Sequence, residues 1–314
     1  MWEENKILTD FAAIIPCHNE EENVPLIYAE LKKTFAKLPD YRLITWFIND
    51  GSTDKTLMAI KLLQSENSDV HYIDMSRAFG KEAGMYAGLS TAKADLYCIL
   101  DADLQDPPSM IPEMLKGIDD GFDVVGAART NREGEPPIRS FFANMFYKII
   151  NAVSSTPIIP GARDFRVMTK QVVQAVLSLS ESQRFSKGLF SWVGFKTKYL
   201  PYKNVERQHG KTSWNFMSLL NYSLDGLVDY SDAPLTLVSG LGLVSFIGAT
   251  IALIFIVIRA AIYGDPTAGW PSMVSIMLMM GGLQLLAIGI VGRYIGRIFL
   301  EVKNRPIYIA RKIE

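Results

Sequence analysis

Acidic side chains follow one apolar run of the chain at a spacing that suits a divalent cation. Asp101 and Asp103 come directly after the strand-like run 96–100, and Gln105 adds a neutral oxygen at the same two-residue spacing. Two carboxylates at the end of an apolar strand are costly unless they are neutralised. Mg²⁺ commonly takes one or two carboxylates together with the phosphates of a substrate. The pattern therefore predicts a cation site at Asp101, Asp103 and Gln105, with a solvated acidic loop as the alternative.

A second polar segment, 49–54, follows the strand-like run 43–48. Gly51 permits a tight turn, and the hydroxyl residues after it can cap the next helix. A turn with a helix cap does not explain Asn49 and Asp50. Asp50 lies where a carboxylate can accept hydrogen bonds from a base or a ribose, so it is a candidate nucleotide-binding residue.

These polar segments belong to a repeated strand–helix pattern. Repeated units of this kind predict a parallel sheet covered on both faces, in which ligands bind beyond the carboxyl ends of the strands. The dinucleotide-binding G-x-G-x-x-G fingerprint is absent after the first strand. The predicted strands are 11–15, 43–48, 70–74, 96–100 and 124–127, and the predicted helices are 21–37, 54–64, 82–91 and 108–119.

The composition excludes several classes of protein. With 49% apolar residues, 21% charged residues and a net charge of −1, the chain is neither disordered nor a basic protein that binds nucleic acid. The charges are unevenly spread, because the 60 residues 233–292 carry only Arg259 and Asp265. The sequence therefore predicts a water-soluble domain attached to a membrane domain.

Two uncharged stretches predict a transmembrane hairpin. Residues 233–258 and 266–292 exceed the roughly 20 apolar residues that cross a bilayer core. We expect spans at about 233–258 and 270–292, with two buried helices of a soluble core as the alternative. By the positive-inside rule, the basic tail after residue 292 places the catalytic domain and the C-terminus in the cytoplasm. The predicted location is the cytoplasmic (inner) membrane, as a multi-pass protein.

An amphipathic segment precedes the first predicted span. Met217, Leu220, Leu224 and Leu227 share one face of a helix over 214–232. This helix is expected to lie in the membrane interface, although a soluble helix packed on the catalytic domain would show the same pattern. The predicted organisation is a soluble domain over 1–213, the interfacial helix over 214–232, and a membrane domain with a basic tail over 233–314.

Several motifs, taken in order along the chain, resemble one family. The segments IIPCHNEEENV, NDGSTDKT, RAFGKEAGMYAGL, LDADLQDPP and DVVGAAR resemble those of family-2 glycosyltransferases with the GT-A fold. Within that family the chain is similar to the polyprenyl-phosphate glycosyltransferases, which include the dolichyl-phosphate mannose synthases. The hairpin and the ending GRYIGRIFLEVKNRPIYI resemble the bactoprenol glucosyltransferase branch. The implied fold is a Rossmann-like α/β domain followed by the interfacial helix and the hairpin.

The resemblance assigns roles to particular positions. Asp103 and Asp164 are the implied catalytic residues, with Asp164 at the position of a catalytic base. Lys81 lies in a matching motif without an assigned contact. The implied metal ligands are Asp101, Asp103 and Gln105. The implied nucleotide-sugar residues are Pro16, Asn19, Glu20, Asp50, Asp101, Ala102, Asp103, Arg129, Arg207 and Lys211.

Basic residues are candidates for contacts with the acceptor phosphate. Arginine binds phosphate through two parallel hydrogen bonds and lysine binds it as a point charge. Ordinary surface charge explains any single one of these residues better than a phosphate contact does, except for Arg207 and Lys211, whose loop lies next to the predicted membrane segment. The candidates are Arg139, Arg166, Arg207 and Lys211.

The resemblance implies a specific reaction. A sugar would move from a nucleotide sugar, UDP-glucose or another UDP-hexose, to undecaprenyl phosphate with inversion, for modification of a cell-envelope glycan. Mg²⁺ or Mn²⁺ would neutralise the leaving diphosphate. A phosphate monoester is already largely ionised at neutral pH, so Asp164 has little proton to remove, and orienting Arg163, Arg166 or the acceptor is its alternative role. The expected partners are the nucleotide sugar, the polyprenyl phosphate, the bilayer and other copies of the chain, as a tetramer by analogy, but no nucleic acid.

Two other functions stay open at this point. A processive polysaccharide synthase would need more spans and a Gln-x-x-Arg-Trp segment, and the sequence contains no Arg-Trp pair. A non-enzymatic scaffold, or a component of a lipid-sugar flippase, would need no intact acidic site. The Asp101-x-Asp103 pair followed by Gln105 argues against that possibility.

Overall fold

The computed structural model describes residues 8–129, 161–179, 181, 184–202, 233–263 and 269–314. Strands and helices alternate through the first part of the chain, as the sequence predicts. A short 3₁₀ turn, Pro108–Met110, precedes α4. The elements are β1 (Thr9–Cys17), α1 (Asn23–Phe35), β2 (Tyr41–Asn49), α2 (Thr56–Glu66), β3 (Val70–Met75), α3 (Lys81–Thr91), β4 (Leu96–Ile99), α4 (Ile111–Asp119), β5 (Val124–Arg129), β6 (Ala162–Thr169), α5 (Lys170–Ser178), α6 (Ser186–Trp192), β7 (Thr197–Tyr202), α7 (Ala233–Tyr263), α8 (Trp270–Val302) and β8 (Ala310–Ile313).

The strands form one eight-stranded sheet in the order β7-β5-β6-β4-β1-β2-β3-β8. The central strands β4, β1, β2 and β3 run parallel to one another. Strand β6 runs antiparallel to both of its neighbours, β4 and β5, and β8 runs antiparallel to β3. The prediction of an α/β domain built on a largely parallel sheet is therefore confirmed, and all five predicted strands are present.

The apolar run of the central strand β1 is continuous because side chains on both faces of the strand pack into cores. Phe11 and Ile15 pack into a core shared with α1 and α4, whereas Ala12 and Ile14 pack into a second core shared with α3 and α5. Since both faces of β1 are covered, polar residues cannot alternate with apolar ones along it. The ends of the strand, rather than one of its faces, are therefore left for polar side chains.

Three strands, β6, β7 and β8, were not predicted from the sequence. Strand β6 has the sequence ARDFRVMT, whose charged residues hide the pattern of a buried strand. Strand β8 has the sequence ARKI and lies in the segment that was predicted as a basic tail. Because β6 inserts antiparallel between β4 and β5, its first residues lie at the sheet edge where β4 ends.

The two C-terminal helices, α7 and α8, contain 31 and 33 residues. Over the described residues, no helix combines the length and the apolar character that a bilayer crossing needs. The predicted transmembrane hairpin is thus not confirmed and stays a prediction. The predicted interfacial helix at 214–232 and the candidates Arg139, Arg207 and Lys211 lie outside the described residues.

Replacement of Gly88 by alanine tests the close packing of α3 against the sheet. A Cβ atom at Gly88 would collide with Ile14 Cγ2 and lie 2.9 Å from Ile48 Cδ1. Alanine gains about 1 kcal/mol of helix propensity over glycine. Overpacking a buried site costs about 1–3 kcal/mol, so we expect a net loss of stability, measured as a lower thermal unfolding midpoint.

Gly84→Ala is the matched control on the same helix, since its added Cβ would come no closer than 3.2 Å to the side chain of Pro16. An unfolding midpoint for Gly88→Ala equal to or above that of Gly84→Ala would contradict the packing described here.

Candidate active site

Polar side chains from four strands meet at one edge of the sheet, the one formed by the carboxyl ends of its central parallel strands. The parallel strands β1, β2 and β4 all end there, and the antiparallel strand β6 begins there. The pairing of Ile99 with Arg166 places the residues just before Arg166 beside the segment that follows β4. As a result, Asp164 lies near Asp101, although 63 positions separate them in the sequence.

One ammonium group joins these two carboxylates. Lys81, the first residue of α3, places its Nζ 2.6 Å from Asp101 Oδ1 and 2.6 Å from Asp164 Oδ2. Burial disfavours the charged lysine, but the two carboxylates outweigh it and raise the pKa of Lys81 above its ordinary value. Burial likewise opposes the charged form of Asp164, yet Lys81 holds the pKa of that carboxyl well below its usual range. Asp164 therefore stays ionised beside the ammonium group that it shares with Asp101.

Two guanidinium groups converge on the predicted metal ligand Gln105. Its amide oxygen accepts hydrogen bonds from Arg129 Nη2 at 3.0 Å and from Arg163 Nη2 at 3.3 Å. A neutral amide oxygen satisfies only part of the donor capacity of two guanidinium groups, each with five N–H bonds. The arrangement therefore holds two cationic side chains side by side while keeping donors for further oxygen atoms.

The buried carboxylate of Asp106 supports this pair of arginines. Asp106 Oδ1 lies 3.5 Å from Arg163 Nε and accepts a hydrogen bond from the Tyr202 hydroxyl. Tyr202 in turn accepts a hydrogen bond from Arg129 Nε at 3.4 Å. Burial raises the pKa of Asp106, and Arg163 partly offsets that effect. Burial and Asp106 raise the pKa of Tyr202 to about 12, so its hydroxyl keeps its proton and remains a donor.

The residues Asn49 and Asp50, which a turn does not explain, connect neighbouring strands and loops. Asn49 Nδ2 donates to Asp74 Oδ1 on β3 at 2.7 Å. The carboxylate of Asp50, which is 5% exposed, accepts hydrogen bonds from the backbone N–H groups of Phe79 at 2.6 Å and Gly80 at 2.9 Å. Asp50 thus fixes the loop before α3. Its predicted contact with a nucleoside would use the remaining lone pairs of the same carboxylate.

The loop after β1 holds the predicted residues Pro16, Asn19 and Glu20. Pro16 lies opposite Ile48 on β2. Asn19 adopts a positive φ of 57°, and its Oδ1 accepts a hydrogen bond from the Thr53 N–H at 2.8 Å. This bond and others between the same segments hold the loops after β1 and β2 together, so these predicted nucleotide-binding positions share one end of the sheet.

The predicted metal ligands Asp101, Asp103 and Gln105 occupy one loop, together with the predicted nucleotide-sugar residue Ala102. Asp103 is 4% exposed, and its Oδ1 accepts a hydrogen bond from the Gln105 N–H at 3.1 Å. Among the described residues, no three His, Cys, Asp or Glu side chains form a group that could hold a metal ion. The predicted set has two carboxylates and one amide oxygen, which are the ligand types that hard divalent cations take. That Asp101 already binds an ammonium group indicates that this position attracts a cation.

Arg166 does not have the environment expected of a residue that binds the acceptor. It is 2% exposed, and it donates hydrogen bonds to the backbone carbonyls of Asp164 at 3.2 Å and Arg163 at 2.8 Å. Its guanidinium also lies 4.2 Å from the centre of the Phe190 ring. These contacts indicate that Arg166 braces the first residues of β6, and its predicted contact with a phosphate stays a prediction.

Sequence reasoning missed the roles of Lys81, Arg163 and Glu82. Lys81 was noted only as part of a matching motif, because its place just before a predicted helix gives no sign of the two carboxylates that it reaches. Glu82 accepts hydrogen bonds from the Ser186 N–H at 3.1 Å and from its hydroxyl, and so joins α3 to α6. Burial, together with the nearby Asp164, raises the pKa of Glu82.

The family follows from comparison with known proteins. Residues 12–177 match the model of the family described as Glycosyl transferase family 2, so the chain belongs to that family and is an enzyme, a glycosyltransferase. This result confirms the resemblance of its motifs to that family. The predicted GT-A domain agrees with both the family and the sheet described above.

Named relatives cover nearly the whole chain. It is 37% identical over 302 residues to the SfII prophage-derived bactoprenol glucosyl transferase of Shigella flexneri, covering 95% of this chain and 96% of the relative. It is 36% identical over 301 residues to the prophage bactoprenol glucosyl transferase homolog of Escherichia coli K12, covering 96% and 98%. The structure of the mannosyltransferase PcManGT from Pyrobaculum calidifontis, in complex with GDP-Man and Mn²⁺, aligns over 92% of this chain and 88% of its own at 15% identity. Its TM-score of 0.47 is too low to support an argument about the site.

Lys81→Met tests whether the shared ammonium group supports glycosyl transfer. The variant leaves Asp101 and Asp164 facing each other without the cation between them. Hydrogen bonds to charged groups contribute about 1.5–3 kcal/mol each, so we expect transfer to slow roughly 10- to 100-fold. The measurement is the rate of sugar transfer at saturating substrate.

The control for this prediction is Lys93→Met, which removes an exposed lysine two residues beyond the end of α3. Equal transfer rates for the two variants would show that the lysine bridge plays no part in the reaction.

Proposed function

We propose that this enzyme transfers a sugar from a UDP-sugar, UDP-glucose or another UDP-hexose, to undecaprenyl phosphate with inversion of configuration. The observation that carries the proposal is the meeting of acidic and basic side chains at one sheet edge, with Asp101 and Asp103 beside Lys81, Arg129 and Arg163. Relatives that span the same length are named as bactoprenol glucosyl transferases, which supports a polyprenyl phosphate as acceptor. The product would serve modification of a cell-envelope glycan.

A divalent cation fits this proposal. Asp101 and Asp103 would hold Mg²⁺ or Mn²⁺, since their carboxylates lie in one loop and Asp101 already pairs with a cation. The Gln105 oxygen would join them in place of one of its two guanidinium hydrogen bonds. When bound, the ion would supply electrostatic stabilisation of a leaving diphosphate.

The basic side chains would position the phosphates. Arg129 and Arg163 keep free donor capacity beside Gln105, and paired guanidinium donors suit the oxygen atoms of a diphosphate. Asp106 and Tyr202 would hold Arg163 in place from the buried side. The two arginines would therefore orient the nucleotide sugar before the reaction and bind the UDP that leaves.

Asp164 would act as an orienting residue rather than as a base. The acceptor phosphate is largely ionised at neutral pH and needs no deprotonation before its oxygen attacks the anomeric carbon. The depressed pKa of Asp164 also makes it a weak proton acceptor. Its ion pair with Lys81 would instead keep that ammonium beside Asp101, while UDP departs from the face opposite the attack.

The membrane would supply the acceptor. We propose that 233–258 and 270–292 cross the cytoplasmic membrane, that 214–232 lies in its interface, and that the catalytic domain and the C-terminus are cytoplasmic. The support is the uncharged sequence of 233–258 and the basic residues after 292. A catalytic domain held at the bilayer surface meets the lipid phosphate at a raised effective concentration. Assembly into a homo-oligomer, with a tetramer as the simplest arrangement by analogy, is part of the same proposal.

A transfer assay with the full-length protein tests this function. Purified protein in detergent is incubated with radiolabelled UDP-sugars, Mn²⁺ or Mg²⁺ and undecaprenyl phosphate, and the label that enters the lipid extract is counted. We expect transfer from one UDP-sugar, its loss on chelation of the metal, and a decrease of about 100-fold or more in Asp103→Asn, because electrostatic stabilisation of developing charge is typically worth that much. Asp119→Asn, an exposed aspartate at the end of α4, is the control.

Two results would overturn the proposal. One is the absence of lipid-linked label with every nucleotide sugar tested, including GDP- and dTDP-sugars. The other is a transfer rate in Asp103→Asn that equals the rate in Asp119→Asn.

A further inference from the structure

The last residues of the chain return to the catalytic domain as β8. This strand pairs antiparallel with β3 and is the outermost strand on that side of the sheet. The backbone of Glu314 exchanges two hydrogen bonds with Tyr72, at 2.7 and 3.0 Å, and the Tyr72 hydroxyl donates to Glu314 Oε2 at 2.9 Å. Only residues 303–309 separate β8 from the end of α8. Helix α8, the longest of the described helices, is thus connected by a short segment to the strand at one side of the sheet.

The pairing of β8 with β3 contains a bulge at one residue. Lys312 lies opposite Asp74 and Ala310 lies opposite Met75, so Arg311 is an extra residue with no partner on β3. A bulge turns the side chain of its extra residue away from the regular alternation, and bulges are common at sheet edges and near active sites. The bulge therefore gives Arg311 an orientation that a regular strand would not provide.

Arg311 uses this orientation to hold Ser76, the first residue after β3. Its Nη2 donates to the Ser76 carbonyl oxygen at 2.8 Å, and the Ser76 N–H donates to the Ile309 carbonyl oxygen at 2.9 Å. Both backbone groups of Ser76 are therefore bound by the C-terminal segment. The C-terminal segment thus fixes the point at which the chain leaves β3.

The loop that begins at Ser76 leads directly into the candidate active site. Gly51, with a φ of 59°, packs so closely that an added Cβ would lie 2.5 Å from the Arg77 carbonyl carbon. Two residues later, the N–H groups of Phe79 and Gly80 donate to the Asp50 carboxylate, and Lys81 follows at once. A shift of Ser76 would consequently move the segment that presents the Lys81 ammonium group to Asp101 and Asp164.

We propose that β8 is a positioning strand for the active site, and that Arg311 is its positioning residue. The hydrogen bonds of Arg311 and Ile309 with Ser76 fix the position of the loop 76–80. This loop in turn fixes the position of the Lys81 ammonium group between the two carboxylates. The effect on sugar transfer rests on the function proposed above, whereas the effect on the loop does not depend on it.

A simpler role for β8 is protection of a sheet edge. An unpaired edge strand invites pairing with another chain, and many proteins cover such edges. That role needs the backbone hydrogen bonds of β8 but not the side chain of Arg311. The two roles therefore differ in what the loss of this side chain should change.

Arg311→Ala separates the two roles in the full-length protein. Hydrogen–deuterium exchange of the Phe79 and Gly80 amides reports the loop directly, because these groups donate to Asp50. We expect their exchange in Arg311→Ala to speed up and kcat for transfer to fall, each by roughly three- to tenfold, the range that one hydrogen bond supplies. The KM for the nucleotide sugar should change less than kcat, and Arg311→Lys should restore part of both effects.

Lys312→Ala is the control on the same strand, since the exposed Lys312 contacts Glu314 and the Tyr72 side chain and has no described contact with the loop 76–80. Surface ion pairs contribute little, so this variant should match the wild type in both measurements.

The inference is overturned if Phe79 and Gly80 exchange at the wild-type rate in Arg311→Ala. It is also overturned if exchange rises equally along all of β3 with a lower unfolding midpoint, or if exchange rises while kcat is unchanged. If the wild type transfers no sugar, the proposed function fails, and the exchange rates alone decide the role of β8.

Discussion

The carboxylates of Asp101 and Asp164 face one another at the edge of the sheet, and this pair requires a cation between them. Lys81 supplies it through two contacts of 2.6 Å. Without this positive charge, two carboxylates that reach the same ammonium group would repel each other. The positions of three elements follow from this requirement. The end of β4 and the start of β6 carry the carboxylates, and α3 must begin where its first side chain reaches both.

The sheet topology makes this contact possible. In a wholly parallel sheet, the residues at the start of a strand lie at the edge opposite to the ends of its neighbours. Strand β6 runs in the reverse direction beside β4, so Arg163 and Asp164 begin their strand at the edge where Asp101 ends its own. The buried Arg166 then braces this start through the carbonyls of the same two residues. One reversed strand thereby brings a second set of charged side chains to the ligand-binding edge.

Parts of this arrangement could be predicted from the sequence, and the reasons are physical. Strands β1 to β5 are apolar runs buried on both faces, so composition alone identifies them. The acidic loop after β4 could be identified because carboxylates are unusual after such a run. Strand β6 could not be predicted, because Arg163, Asp164 and Arg166 give ARDFRVMT the look of a surface segment. Strand β8 was missed because ARKI looks like a basic tail. The contact of Lys81 with Asp164 depends on tertiary structure between residues 83 positions apart, which no local pattern reveals.

The charge balance at this edge links the site to its substrate. Opposite charges nearly balance at this edge, because Glu82, Arg166 and Lys187 also act on Asp164 beside the four carboxylates and three cationic groups, and the proposed divalent cation would add to the positive side. With such an ion in place the balance would become positive, and a nucleotide diphosphate would then be favoured beside the two arginines, whose neutral partner Gln105 leaves donors available. An excess of permanent positive charge would instead retain the proposed nucleotide product more tightly. The four carboxylates are those of Asp101, Asp103, Asp106 and Asp164, and the three cationic groups are those of Lys81, Arg129 and Arg163.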